Sequence, residues 1–130
     1  MYIRFALGRL DPWSGAPMGF FRVAYLLQGD ERVPDWLREV LREETDWFDR
    51  HLGLPARCWR GDRARLGETG ICWFRPEARK HIAHAHVLKA LIEEAGVAVG
   101  RLQTRDPGDV VWHDRHQIVA KPVHTTRVAW

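Results

Sequence analysis

PDWLREVLREETDWFDRHLG, residues 34 to 53, is the stretch that most limits what this chain can become. At about 100° per residue, Leu37, Leu41, Phe48 and Leu52 fall on one stripe, flanked by Trp36, Val40 and Trp47. Pro34 suits a first helical turn and Gly53 a C-terminal stop, so the spacing predicts a helix over 35–52. A helix with one apolar stripe must bury it against a second layer. Glu44 and His51 fall inside the apolar sector, which singles both out as buried polar groups.

The second layer is readable on either side. YIRFALG, residues 2 to 8, alternates as a strand does, and LDPWSGAP then breaks the pattern. GFFRVAYLLQ, residues 19 to 28, is apolar nearly all round and reads as a short buried helix. Residues 54 to 70 read as loop, with one short strand around Arg57 to Arg60. ICWF, residues 71 to 74, reads as a buried strand, and a second long helix runs from Pro76 to about Ala95, stopped by Gly96. VAVGRLQT is a strand, DPGD a turn, and DVVWH and QIVAKPV flank Asp114 and Arg115 as a hairpin. This order predicts an α+β domain over residues 1–124, with a largely antiparallel sheet packed against two long helices and one short one. Residues 125–130 form a short tail.

The chain has 130 residues, enough to bury a core without metal or disulfide support. Cys58 and Cys72 are too few for a disulfide scaffold and are expected as thiols. There is no apolar run long enough for a membrane span and no secretory leader, so the expected compartment is cytoplasmic. The net charge of +3, spread along the chain, is not a nucleic-acid signature, and 17 arginines against three lysines is a bias that genome composition alone can produce. Seven tryptophans supply large buried areas, and some suit interfaces.

Chemistry-bearing side chains concentrate in GICWFRPEARKHIAHAH, residues 70 to 86. With Leu88, Leu91, Ile92 and Ala95 defining the inward face of the second long helix, His81 and His84 fall inside that sector and His86 opposite it. Glu77 aligns with them as an i, i+4, i+7 row, and Cys72 precedes its head. Imidazole, carboxylate and thiolate can hold a divalent metal, with Glu77, His81 and His84 as candidate ligands. They can also serve as base and nucleophile, with Cys72, His81 and Glu44 as candidate catalytic groups. The row is not an HExxH helix, no CxxC pair exists, and no cofactor motif is present. The structural alternative is half-buried histidines satisfied by a backbone carbonyl or by Glu77. Glu44 and His51 would join the row if the two long helices pack side by side.

Two other places invite a site. Arg57, Arg60, Arg63 and Arg65, with Trp59 among them, would join Arg75, Arg79 and Lys80 at the start of the second long helix. Helix N-termini attract anions, so this corner suits an acidic ligand, and basic groups between aromatics suit single-stranded nucleic acid. In WHDRHQ, His113 and His116 flank a two-residue turn, where a hairpin would make them cross-strand neighbours.

SGAPMGFFRVAYLL, Trp47-Phe48, GICWF, His81-Ile82, PGDVVWHD and QIVAKP together resemble a group of uncharacterised bacterial proteins of similar length, over about residues 14–122. The resemblance implies a single-domain cytoplasmic protein and transfers no catalytic residue. The expectation from the sequence is therefore a small binding or regulatory protein, recognising an acidic ligand, a protein or a nucleic acid through the Arg/Trp-rich corner. A metal- or Cys/His-dependent enzyme and a homo-oligomeric structural protein are the alternatives.

Overall fold

The computed structural model describes residues 1–10, 17–53 and 71–121. The elements in chain order are β1 (Tyr2–Leu10), β2 (Pro17–Gly19), α1 (Phe20–Gln28), α2 (Asp35–His51), β3 (Ile71–Phe74), α3 (Arg79–Glu94), β4 (Gly100–Thr104), β5 (Asp109–His113) and β6 (Gln117–Lys121). They form the expected α+β arrangement, with three helices on a curled antiparallel sheet. β1 is its hub, pairing antiparallel with β4 from Tyr2↔Thr104 to Ala6↔Gly100. Its other edge is shared end to end by β3, at Ile3↔Phe74, and β2, at Ala6↔Gly19. β3 continues to β6 and β6 to β5, the last strand on that side among the described residues.

Alternation in β1 sends Ile3, Phe5 and Leu7 to the helices, all buried. Each helix answers with a stripe of its own. α1 buries Phe20, Val23, Ala24 and Leu27; α2 buries Leu37, Leu41, Thr45 and Phe48; α3 buries His81, Ala85, Leu88 and Ile92. Aromatic rings knit this layer: Phe5 stacks on Phe20 at 5.2 Å between centroids and meets Phe74 edge-on at 6.4 Å. On the opposite face, Ala6, Ile71, Trp73, Leu102, Ile118 and Ala120 form a second cluster. A sheet buried on both faces explains why ICWF and QIVA read as continuous apolar runs rather than alternating ones.

The helix ends differ from expectation in informative ways. α3 starts at Arg79, because Pro76 and Glu77 lie in a turn closed by Ala78 N–H to Arg75 carbonyl, 3.0 Å. It ends at a Schellman cap in which Gly96 takes φ +94° and Val97 N–H reaches the Ile92 carbonyl, 3.3 Å. α2, in contrast, stops at His51 with Leu52 in extended backbone. Gly53 is there for space instead of a left-handed turn: a Cβ on it would lie 2.8 Å from the Asp114 carboxylate. β2 was not foreseen, having only three residues. The expected strand at 57–60 and the tail at 125–130 lie outside the described residues.

Candidate functional site

The two long helices pack side by side, and the inward polar groups meet where α2 ends and α3 begins. Glu44 sits one turn before Trp47 on α2, and its Oε1 accepts from His84 Nδ1 of α3 at 2.5 Å. The Trp47 indole lies against the His84 imidazole with centroids 3.6 Å apart and planes 11° off parallel. It also stacks with His51 at 4.5 Å and meets His81 edge-on at 5.1 Å. His51 is exposed, its Nδ1 donating to the Trp47 carbonyl across one helical turn, 2.8 Å.

His81 is the buried member, 5% exposed. Its Nε2 lies 2.7 Å from the His51 carbonyl oxygen. A carbonyl only accepts, so Nε2 carries the proton and Nδ1 is a bare lone pair. That Nδ1 is buried with no hydrogen-bond partner among the described residues. The ring stacks on His116 of the β5–β6 turn, centroids 4.0 Å apart. Burial pushes the His81 pKa down from the ordinary 6.5; the His51 carbonyl bond opposes this and the neighbouring His116 adds to it.

The same turn is tied down from below. Arg75 donates its backbone N–H to the His116 carbonyl at 2.9 Å and its Nε to the Asp114 carbonyl at 2.8 Å. Asp114 Oδ1 accepts from the His116 and Gln117 amides, at 2.8 and 2.9 Å. The Gln117 side-chain amide donates to the Gly53 carbonyl at the end of α2.

The sequence candidates separate accordingly. Glu44, His81 and His84 converge, whereas Glu77 is exposed in the turn before α3 and drops out of the row because the helix starts two residues after it. Among the described residues no group of three or more His, Cys, Asp or Glu side chains is placed to share a metal ion. Cys72 is half-buried on β3 opposite Val119, beside a water-sized cavity of about 40 Å³ bounded by Arg4, Gly19, Phe21 and Gln117. His113 pairs with Ile118, so it is not the cross-strand neighbour of His116, which turns to His81 instead. His86 is exposed as expected, yet its ring meets Phe5 edge-on at 5.0 Å and takes an Arg101 contact at 3.2 Å. Burial and the Arg101 and Lys89 charges lower its pKa. Arg57, Arg60, Arg63 and Arg65 lie outside the described residues; Arg75 spends its Nε on Asp114, and Arg79 is exposed at the start of α3.

Trp47 and His116 are the members that sequence reasoning did not assign to the junction. Trp47 is three residues after Glu44 and four before His51, a spacing that puts all three on one helix flank. His116 had no such signal, since only the tertiary fold brings a hairpin turn to a helix end. A larger cavity of about 530 Å³, lined by Arg9, Leu26, Asp30, Arg32, Glu94 and Val97, shares no residue with the junction. No helix among the described residues is long and apolar enough to cross a membrane. Comparisons with protein-family models, curated proteins and solved structures gave no match, so the junction's role is read from its geometry.

Proposed function

We propose that this protein works by binding, and that its docking surface is the outer edge of β5, occupied by the same strand of a second copy. The observation that carries the reading is the exposure of β5: Val110 is 49% and Val111 38% exposed, beside a half-buried Trp112, on the last strand of the sheet among the described residues. Unpaired edges with apolar side chains recruit another strand. Of the candidate groups at the junction, Glu44 accepts from His84 and His81 gives its one N–H to a helix-end carbonyl.

Self-complementarity selects the occupant. Antiparallel pairing of DVVWH with its copy about Val111 sets Asp109 against His113, Val110 against Trp112 and Val111 against itself. Carboxylate faces imidazole at both ends, and apolar side chains meet between them. Val111 is also the bulged residue, since Val110 pairs with Ala120 and Trp112 with Val119. Only this register puts bulge against bulge, and antiparallel pairing of a strand with its own copy is isologous and closes at two copies. A contact of five residues per strand buries less than the roughly 1,200–2,000 Å² of standard interfaces, so the dimer is weak and concentration-dependent.

Sedimentation velocity from about 10 to 500 μM is expected to show a rising mean mass for the parent chain and a monomer throughout for Val111→Lys, in line with the effect of edge lysines. A parent chain that stays monomeric over that range would remove the reading. Assembly that survives Val111→Lys but is lost on reversing Arg63 and Arg65 would move the docking surface to the basic corner.

A further inference from the structure

Three separate elements meet at the His81 ring: the carbonyl end of α2, the first turn of α3, and the turn joining β5 to β6. The contact works only for a neutral imidazole. His81 has one N–H, already given to His51, and a second proton would have to sit on the buried Nδ1, which has no hydrogen-bond partner among the described residues. His116, stacked 4.0 Å away, further disfavours a proton on His81.

Of the surrounding charges Asp114 favours the protonated form, but burial is the larger effect and the net direction is downward. From α2 comes the His51 ring; from the β5–β6 turn come His116 and Asp114. Asp114 is the carboxylate facing His81, and its Oδ1 is already engaged by two backbone amides while its other oxygen abuts Gly53. Arg75, on the connection into α3, adds a cation to the same turn. On α3 itself, His84 commits its Nδ1 to Glu44, and Lys80 adds a further exposed cation.

We infer that the His81–His116 stack is an acid-operated latch that holds the β5–β6 turn against the ends of α2 and α3 and releases it when His81 takes up a proton. The sign follows from burial, which holds the closed-state His81 below the ordinary 6.5. Opening returns the ring to water and to that value, so the open form binds more protons than the closed one. The latch is fully effective above the ordinary imidazole range and weakens as pH falls below it, by up to about tenfold in the open-to-closed ratio per pH unit for each proton taken up. Because the turn follows directly on His113, opening also frees the C-terminal end of β5. That consequence rests on the docking reading, whereas the latch does not.

The experiment is amide hydrogen exchange, corrected for intrinsic rates, on the monomeric Val111→Lys chain, so that the latch is tested whether or not β5 pairs with a copy. Between pH 6.5 and 5.5 the amides of Arg75, His116 and Gln117 are expected to lose up to about fivefold in protection, while Leu27 and Ala24 in α1 keep theirs. His81→Gln places an amide N–H where Nε2 was and takes no proton, and is expected to flatten the response. His86 sits against Phe5 and Arg101, so its own titration reports at β4. Should His81→Gln not fold, NMR titration of the His81 ring in the chain with native His81 decides: its protonation and the loss of amide protection must coincide. Protection independent of pH, protonation of His81 without amide change, or an undiminished response in His81→Gln would each overturn the latch.

Discussion

Phe5→Ala is expected to lower the free energy of unfolding by about 3–5 kcal/mol, the cost of emptying a fully packed aromatic site. Phe5 is 1% exposed and stands on the strand that pairs with three others. Its ring joins the layers: Phe20 of α1 stacks on it, Phe74 of β3 and His86 of α3 meet it edge-on. Four elements would therefore border the cavity left behind, and relaxation of any one is held back by its own packing. Against a total of roughly 5–15 kcal/mol for a domain, such a loss is a large fraction. Urea unfolding should show the midpoint falling with the slope unchanged, while Val87→Ala, at a position exposed on α3, should barely move it.

Trp47→Ala is expected to cost about 2–3 kcal/mol, less than a fully buried tryptophan because the indole is half-buried. The indole is the surface on which His84 and His51 lie and against which His81 sets its edge. Without it the Glu44–His84 hydrogen bond opens to water, where an exposed pair is worth little. Urea unfolding of Trp47→Ala and of Trp47→Phe measures the effect, and phenylalanine should recover about half of the loss by restoring a stacking surface. A change of under about 0.5 kcal/mol in Trp47→Ala, the range of ordinary surface substitutions, would show that the junction does not hold α2 to α3.

The fold was legible wherever a period was long enough to declare a face. Leu37, Leu41 and Phe48 on α2, and Leu88 and Ile92 on α3, were readable because several turns repeat the same spacing. β3 was readable from ICWF, since an apolar run of four between breakers suits a strand buried on both faces. What failed was local. Pro76 marks a helix start in general, but here a turn closed at Arg75 delays the helix to Arg79, which expels Glu77 from the row. Gly53 suggested a left-handed cap, although its smallness serves the approach of Asp114.

The junction was half legible for a related reason. Helical geometry alone aimed Glu44, His81 and His84 inward, and side-by-side packing was a natural guess. No one-dimensional pattern could say that His84 would find Glu44 while His81 would find a carbonyl at the end of α2 and the face of His116. Those partners are 40, 30 and 35 residues away along the chain, as the numbering shows. The exposure of β5 was equally hidden: DVVWH has the composition of a core strand, and only the tertiary fold leaves Val110 and Val111 exposed on the last described strand.

Docking through β5 is tested most directly by Val111→Cys. In the register that sets Asp109 against His113, residue 111 faces its own copy, and antiparallel neighbours have Cα atoms about 4.5–5.5 Å apart, inside the range a disulfide spans. Mild oxidation followed by non-reducing electrophoresis is expected to give a covalent dimer of Val111→Cys far faster than of Leu26→Cys, a control 59% exposed on α1, or of the parent chain with its native Cys58 and Cys72. Equal rates for Val111→Cys and Leu26→Cys would contradict the account.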